Sequence, residues 1–212
     1  MTALYTAGMP DVNPEIRSYR QLQAGQTKEH ITAAARRLFA SHGYRGTSIE
    51  AIAKEAGVGV RTVYAVFGNK KQLLQEVRLA WVFAAQTPEL MNEATTDTDP
   101  RRRLALAARW IRRQFESGVD IIATYSSASA VDHEMAQEYE RVLAGRRAAV
   151  KKLLKGMSDA LREDLSLDDA IAVYLAIGTP ETYNELVNVG GWSPDRYEGW
   201  LATAMQSLLL RE

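Results

Sequence analysis

The side chains that catalysis or metal binding would require are sparse and scattered in this sequence. There is no cysteine, and the three histidines, His30, His42 and His133, are not spaced as metal ligands are. Adjacent acids occur at 163–164 and 168–169, near the expected start of a helix, where negative charge complements the helix dipole. Without a nucleophile and base, paired cleft carboxylates or a ligand cluster, the sequence predicts a protein that is not an enzyme and uses no metal or cofactor.

Cationic side chains are concentrated in one part of the chain. The whole sequence balances 26 basic against 26 acidic residues, but residues 17–78 hold eleven Lys/Arg against four Asp/Glu. Residues 79–212 carry the opposite excess, fifteen against twenty. A basic excess confined to one segment is typical of a chain that meets nucleic acid through that segment.

The remaining composition is that of a globular chain. Hydrophobic residues make up 46% of the 212 residues, which is ample for the buried core of one large domain or two small ones. No run approaches the roughly 18 to 20 apolar residues of a membrane span, and no basic segment followed by an apolar run opens the sequence. The expected location is the cytoplasm, associated with the nucleoid and without a membrane partner.

Three short helices are predicted within the basic segment. The first runs from Thr27 to Gly43, the second follows a capping box at 47–50 and ends near Glu55, and the third covers about 60–67. The second and third are separated by a glycine turn, which is the arrangement of a helix-turn-helix.

The spacing inside the second and third helices has a physical reason. Ala53 is small where the two helices cross, Gly57 accepts the backbone angles of the turn, and Val63 fills the gap between them. By itself this spacing is weak, since packing of two helices in any bundle could produce it.

The rest of the sequence predicts further helices and no strand, because no segment alternates with period two. The predicted fold class is therefore all-α, with an N-terminal three-helix domain and a larger helical domain. The domain bounds are a flexible tail over 1–24, a helix-turn-helix domain over 25–71 and a helical domain over 72–212. A long helix starts near Lys70, a polar break covers 87–99, and further helices are expected from Pro100, over 119–130, over 132–157, and after Ser166, Thr179 and Ser193.

The stretch from Ile31 to Leu74 resembles the DNA-binding domain of the tetracycline-repressor (TetR) family. Many positions match in one fixed register, and the segment 168–210 also resembles the C-terminal ends of many actinobacterial members. The matching residues are Ile31, Ala34, Ala35, Leu38, Phe39, Gly43, Tyr44, Thr47, Ser48, Ile52, Ala53, Ala56, Gly57, Val58, Thr62, Val63, Tyr64, Phe67, Lys70, Leu73 and Leu74.

The resemblance implies that the third helix lies in the major groove of double-stranded DNA. Arg61 can form two hydrogen bonds with guanine, while hydroxyls and lysine suit phosphate oxygens. Two departures weaken base reading: Gly59 stands where the family often has serine, and Val66 where it often has histidine. Carried over by position, the phosphate contacts are Thr47 or Ser48, Thr62, Tyr64 and Lys70, and the base-facing residues are Val60, Arg61 and Ala65. Gly59, just before them, completes the predicted DNA-binding set.

Several of these roles have alternatives. Tyr64 could be a core aromatic, and Arg61 a plain surface charge. Arg17 and Arg20 precede the first helix where several relatives carry a basic arm, so they either enter the minor groove or are simply solvated.

A homodimer is expected, because one helix-turn-helix covers too little DNA and two copies can bind two half-sites. The resemblance places the dimer surface on the last two long helices, about 167–178 and 194–210. The last helix carries an apolar stripe too wide for one neighbour, although burial on two sides within its own domain would explain it as well. The candidate interface residues are Tyr174, Tyr197, Trp200, Leu201, Ala204, Met205 and Leu208.

The resemblance also implies a small-molecule effector pocket in the larger domain. Amphipathic aromatic residues suit a pocket that needs apolar walls and polar contacts, although each could equally belong to the core. The candidate lining residues are Trp81, Trp110, Phe115, Tyr125, Tyr139 and Tyr183. The predicted function is a homodimeric repressor released from a palindromic operator by a small molecule. An activator, or a helical adaptor with this fold and no operator, remains as an alternative.

Overall fold

The described part of the chain is built from ten helices joined by short turns. The computed structural model describes the backbone of residues 14–211 and the side chains of 22–86 and 88–211. This range contains one isolated bridge, Leu161 to Leu210, and no strand, which confirms the all-α prediction, and none of its helices is long and apolar enough to span a membrane. The helices are α1 (Pro14–Gly46), α2 (Ile49–Glu55), α3 (Val60–Phe67), α4 (Lys70–Ala84), α5 (Thr87–Thr96), α6 (Pro100–Ser129), α7 (His133–Lys155), α8 (Leu167–Ile177), α9 (Pro180–Tyr183, continued by a π-helical turn over Asn184–Val189) and α10 (Pro194–Leu209).

α2 and α3 form a helix-turn-helix. Gly57 joins them with a φ of 68°, a left-handed conformation that glycine adopts without strain. The Val58 amide donates to the Ala53 carbonyl at 2.9 Å and closes the turn. Ile52, Ala53 and Val63 are at most 1% exposed. The small residue at the crossing and the valine between the helices therefore occupy the places that their spacing predicts.

α1 begins earlier than the sequence indicates. The predicted start at Thr27 is wrong, because the helix starts at Pro14. The Thr27 hydroxyl donates to the Gln23 carbonyl at 2.8 Å, so this threonine satisfies its own side chain inside the helix and caps nothing. The other end agrees with the prediction, since Gly43 has a φ of 69° and interrupts the helix one turn before its end.

The N-terminal segment is helical where a tail is expected. Residues 14–24 belong to α1. Residues 1–13, the first part of the predicted tail, lie outside the described residues, and so do the side chains of Arg17 and Arg20.

The predicted polar break over 87–99 is wrong, because most of it is helix α5. Pro88 lies in the first turn, where proline is tolerated. Leu90 and Met91 pack against the neighbouring core, and Ala94 is fully buried in it. Three apolar residues among threonines and acids are too few to show a helical periodicity in the sequence. Packing against α6 nevertheless stabilises this segment as a helix.

α6 joins two hydrophobic cores. It includes the predicted separate helix over 119–130, which continues from its first half through a kink at Gly118 (φ −147°, ψ 16°). The first core combines α1 to α4 with Ile121, Tyr125 and Ala128 of α6, and it also contains Met135 of α7. The second core combines α5, the first half of α6, the rest of α7 and α8 to α10. The N-terminal core thus extends across the domain boundary expected at residue 71.

Candidate functional site

The outer face of α3 presents exposed side chains on a rigid support. Val63 and Phe67 are buried against the first core. Because a helix turns by about 100° per residue, Arg61 and Ala65 lie on the opposite side. Val60, Arg61 and Ala65 are all exposed. Apart from Arg61, the side chains here are the short ones of Val60 and Ala65. A binding partner can therefore come close to the helix backbone.

Polar groups flank this face. Tyr64 is 48% exposed, so it is not the core aromatic that was its alternative. Thr62 is half-buried on the other flank. Gly59 caps the helix without a side-chain hydrogen bond, and its carbonyl accepts from the amides of Thr62 at 2.9 Å and Val63 at 3.3 Å.

The capping box at 47–50 would make Thr47 the N-cap of α2, but in the structure Ser48 is the N-cap. The Ser48 hydroxyl accepts from the Ala51 amide at 3.1 Å. Thr47 is only 2% exposed, and its hydroxyl hydrogen bonds to the carbonyls of Leu38 (3.0 Å) and Gly43 (2.8 Å). Thr47 is therefore excluded from the surface contacts predicted for it, whereas Ser48 remains exposed.

The buried position of Thr47 predicts that substitutions at Thr47 and at Glu50 change the free energy of unfolding by different amounts. Thr47→Val removes a buried hydroxyl and leaves carbonyls without their donor, so the free energy of unfolding should fall by about 1 kcal/mol. Glu50→Ala, which would break a Thr47–Glu50 capping box, should change it by less than about 0.5 kcal/mol, because Glu50 is exposed. Urea denaturation of both variants checks this. Equal losses from the two would instead support the capping box.

Lys70 is predicted to contact phosphate, but the structure gives its ammonium group an internal role. The Nζ donates to the carbonyls of Tyr44 at 2.9 Å and Thr47 at 3.1 Å, and it lies 4.4 Å from the centre of the Tyr44 ring. Burial lowers the pKa of Lys70, an effect that Asp132 opposes. Lys70 therefore fastens the start of α4 to the connection between α1 and α2, and one N–H is left for an outside acceptor.

Ion pairs within the chain neutralise several of the basic residues of the N-terminal domain. Three exposed cations, Arg45, Lys54 and Arg61, form no ion pair with any described residue. Those cations carry the positive charge that the N-terminal domain presents to solvent. The pairs that remove the others are Lys28–Glu76, Arg36–Asp120, Arg37–Glu55 and Lys71–Glu134.

A cavity of about 1290 Å³ lies among α4, α5, α6, α7 and α9. It touches both hydrophobic cores and borders the kink in α6. Tyr183 is predicted to line it but does not. Its ring packs between those of Phe115 and Tyr197, with ring centres 5.8 Å and 4.9 Å away. The other predicted aromatic residues are in the wall: Trp81, Trp110, Phe115, Tyr125 and Tyr139.

The charged residues of the cavity wall were not predicted from the sequence. Arg78, Glu138, Arg141, Arg146 and Glu181 all contribute to it. Arg141 pairs with Glu138 at 2.9 Å. Burial lowers the pKa of the Arg146 guanidinium, against the opposing influence of nearby tyrosines and Glu181. Each of these residues faces a helix that is distant in the sequence. The periodicity of its own helix therefore could not distinguish it from a residue that faces solvent.

Most of the predicted dimer residues are buried within the chain itself. Tyr174, Tyr197, Leu201 and Met205 are fully buried in the second core, so their assignment to an interface is wrong. α10 packs on both α6 and α8, which is why one helix carries so wide an apolar stripe.

Three of the predicted interface residues do remain on the outside. Trp200 and Ala204 are half-buried and Leu208 is 42% exposed, at a spacing of four residues along one edge of α10. Ala172 and Ala176 are exposed on α8, the neighbouring helix. These five residues, the α8/α10 face, form an apolar surface of small and large side chains.

Comparison with known proteins identifies the N-terminal domain. Residues 31–77 match the model of bacterial regulatory proteins of the tetR family. A curated relative, the uncharacterized HTH-type transcriptional regulator YhgD of Bacillus subtilis (strain 168), is 33% identical over 73 residues, which cover 34% of this chain and 36% of YhgD. The chain thus spans about a third of the length of that relative.

Two solved structures share the fold over most of the chain. NalD, the secondary repressor of the MexAB-OprM multidrug efflux pump in Pseudomonas aeruginosa, has a TM-score of 0.71 at 22% identity, covering 90% of this chain and 98% of its own. A regulator from Saccharomonospora viridis in complex with choline has a TM-score of 0.62 at 21% identity, covering 89% and 100%. Residues 31–77 thus match the tetR-family model, and the chain shares its fold with these two solved structures.

Proposed function

We propose that this chain, with its TetR-type domain, is a homodimeric transcription repressor that leaves a palindromic operator when a small molecule fills the cavity. The observation that carries the proposal is the outer face of α3, where Arg61 stands exposed and unpaired between small residues on a well-packed helix-turn-helix. A face of this kind fits the major groove, which admits one α-helix.

Sequence reading would rest mainly on Arg61, which can donate two hydrogen bonds to guanine. Val60 and Ala65 offer only apolar contact, for example to a thymine methyl group, and Gly59 lets the backbone approach closely. The Ser48 and Tyr64 hydroxyls, with Thr62 beside them, would hold phosphate oxygens. The third N–H of Lys70 could add to them from the start of α4.

Dimerisation would use the α8/α10 face. Its apolar side chains lie at the end of the molecule that belongs to the second core, away from α3. Two copies joined there would present two α3 helices to one duplex, as half-sites separated by one helical turn or a multiple of it require.

Release by a ligand follows from where the cavity lies. Trp81 lines the cavity near the end of α4, and Lys70, at the start of the same helix, holds the connection before α2. A ligand that prefers a position of α4 that DNA disfavours must weaken DNA binding by the same factor by which DNA weakens ligand binding. The fold shared with the repressor NalD supports repression, and activation is the alternative.

Substitution of Arg61 tests the proposal. Arg61→Ala should lose about 1–3 kcal/mol of discrimination between the operator and a mutated site. Tyr64→Phe should weaken binding to both DNAs alike, because a phosphate contact carries no sequence information. The measurement is a fluorescence anisotropy titration with both duplexes.

Arg147→Ala, at an exposed arginine of α7, is the matched control and should bind as the unaltered protein does. If Arg61→Ala bound the operator with unchanged affinity and preference, α3 would not be the reading helix. If none of these proteins distinguished operator from random DNA, the adaptor alternative would replace the repressor.

A further inference from the structure

Arg146 in the cavity wall, and two tyrosines near it that are not part of that wall, have polar atoms that no described residue satisfies. Arg146 of α7 donates through Nη2 to the Gly178 carbonyl, but its Nε is buried with no hydrogen-bond partner among the described residues. The hydroxyls of Tyr174 and Tyr197 are also buried without a partner in that part of the chain, although both side chains are fully enclosed. These tyrosines are close enough to Arg146 for their charges to affect one another.

Buried polar groups of this kind need an explanation, because a buried donor or acceptor without a partner loses its hydrogen bonds to water and gains none in return. Arg146 also forms no ion pair with any residue of the described chain. Burial lowers the pKa of this guanidinium, and Glu181, whose charge opposes that effect, is exposed and forms no ion pair with Arg146. Water would satisfy the hydrogen bonds but would not supply a counter-charge at the guanidinium.

We propose that the cavity takes an organic carboxylate, with its anionic group on Arg146 and its apolar body along α6. This assignment rests on the proposed function, since it names the chemical class of the effector. A carboxylate that reaches the Arg146 guanidinium from the cavity would form charge-assisted hydrogen bonds and neutralise the cation.

The rest of the cavity suits the apolar body of such a molecule. Trp110, Phe115, Val119 and Ile122 line it along α6, and Met91 does so from α5. A space of about 1290 Å³ is more than a small ion needs and holds a ligand with an aromatic or alkyl body.

The other charges of the wall do not favour a cation in its place. Glu138 is already paired with Arg141. Glu181 and Glu185 are exposed, so water solvates them and a cation would gain little there. Arg146, by contrast, is a cation of the wall with a buried Nε and no ion pair among the described residues.

A matched set of probes tests the assignment: 4-phenylbutyrate, 4-phenylbutanol and 4-phenylbutylamine differ only in the terminal group. Binding is followed by calorimetry and by the fluorescence of Trp81 and Trp110, which line the cavity. The carboxylate should bind at least ~10-fold more tightly than the alcohol, the size expected of a hydrogen bond to a charged group. The amine should bind more weakly than both.

Arg146→Met should remove the preference for the carboxylate and leave the affinity for the alcohol within ~2-fold. Arg147→Gln is the matched control, because Arg147 is an exposed arginine of the same helix outside the cavity wall, and this variant should keep the preference. If Arg146→Met does not fold, the order of the three probes on the unaltered protein still decides. Equal binding of the probes, tighter binding of the amine, or no binding of any would overturn the assignment.

No DNA enters this experiment, so its outcome is separate from that of the proposed function. A protein that binds its operator and ignores all three probes would contradict the carboxylate site alone. A protein that binds the carboxylate through Arg146 and has no operator would contradict the repressor alone.

Discussion

Leu208→Glu should convert a dimer into monomers and lower the affinity for a palindromic operator by roughly 100-fold or more, because joining two binding modules adds that much avidity. Leu208 is 42% exposed on α10, one turn after Ala204, and the exposed α8 residues Ala172 and Ala176 lie on the helix packed against α10. A carboxylate there would have to be desolvated against an apolar partner surface. Sedimentation equilibrium measures the mass, and anisotropy titration the affinity for a full site and for a half-site.

Val131→Glu is the matched control. Val131 is 46% exposed, as much as Leu208, but lies between α6 and α7, far along the chain from the α8/α10 face. It should remain dimeric with unchanged affinity for the palindrome. If Leu208→Glu also stayed dimeric, or if both variants became monomers, the α8/α10 face would not be the interface.

Gly118→Ala should lower the free energy of unfolding by about 3 kcal/mol, at the upper end of the usual cost of overpacking. A Cβ at this position would lie 2.1 Å from Cε2 of Trp81, deep inside contact distance. The indole cannot easily move away, because its Nε1 donates to the Ser117 hydroxyl at 3.0 Å and Trp81 is only 7% exposed. For a chain of this size the melting temperature should fall by roughly 6–12 °C.

The same substitution should also disturb the connection between the two cores. Arg36 of α1 binds Asp120 through two hydrogen bonds of 2.8 Å, so both α1 and α4 are attached to α6 at the kink. Gly145→Ala is the control, since nothing lies within 4 Å of a Cβ there and alanine is the better helix former. It should raise the stability slightly. An unchanged melting temperature for Gly118→Ala would contradict the close approach of Trp81.

The sequence predicts those parts of the fold that depend on local periodicity. Ile52, Ala53 and Val63 face the core because their spacing places them on one side of two helices, and the Ser166–Asp169 capping box forms as expected. Local periodicity does not decide which residue, Thr47 or Ser48, is the N-cap of α2. Either hydroxyl could cap α2, and the choice is made by the carbonyls of Leu38 and Gly43 at the end of α1, which accept from the Thr47 hydroxyl.

What could not be predicted depends on contacts between distant residues. Arg146 is one of several arginines on an exposed-looking helix, and its role appears only when α7 meets Gly178, 32 residues later. The apolar stripe of α10 has the width of an interface. Only the packing of α6 and α8 on it shows that Tyr197 and Leu201 are internal and that Leu208 is not.

The most direct test of the repressor proposal is a footprint of the unaltered protein on its own upstream region, repeated at several salt concentrations. The proposal predicts protection of two symmetric half-sites whose centres are one helical turn or a multiple of it apart. It also predicts an affinity that falls steeply between about 50 and 200 mM salt as phosphate contacts are lost. Binding no tighter than to random DNA at moderate salt, with no protected palindrome, would contradict it.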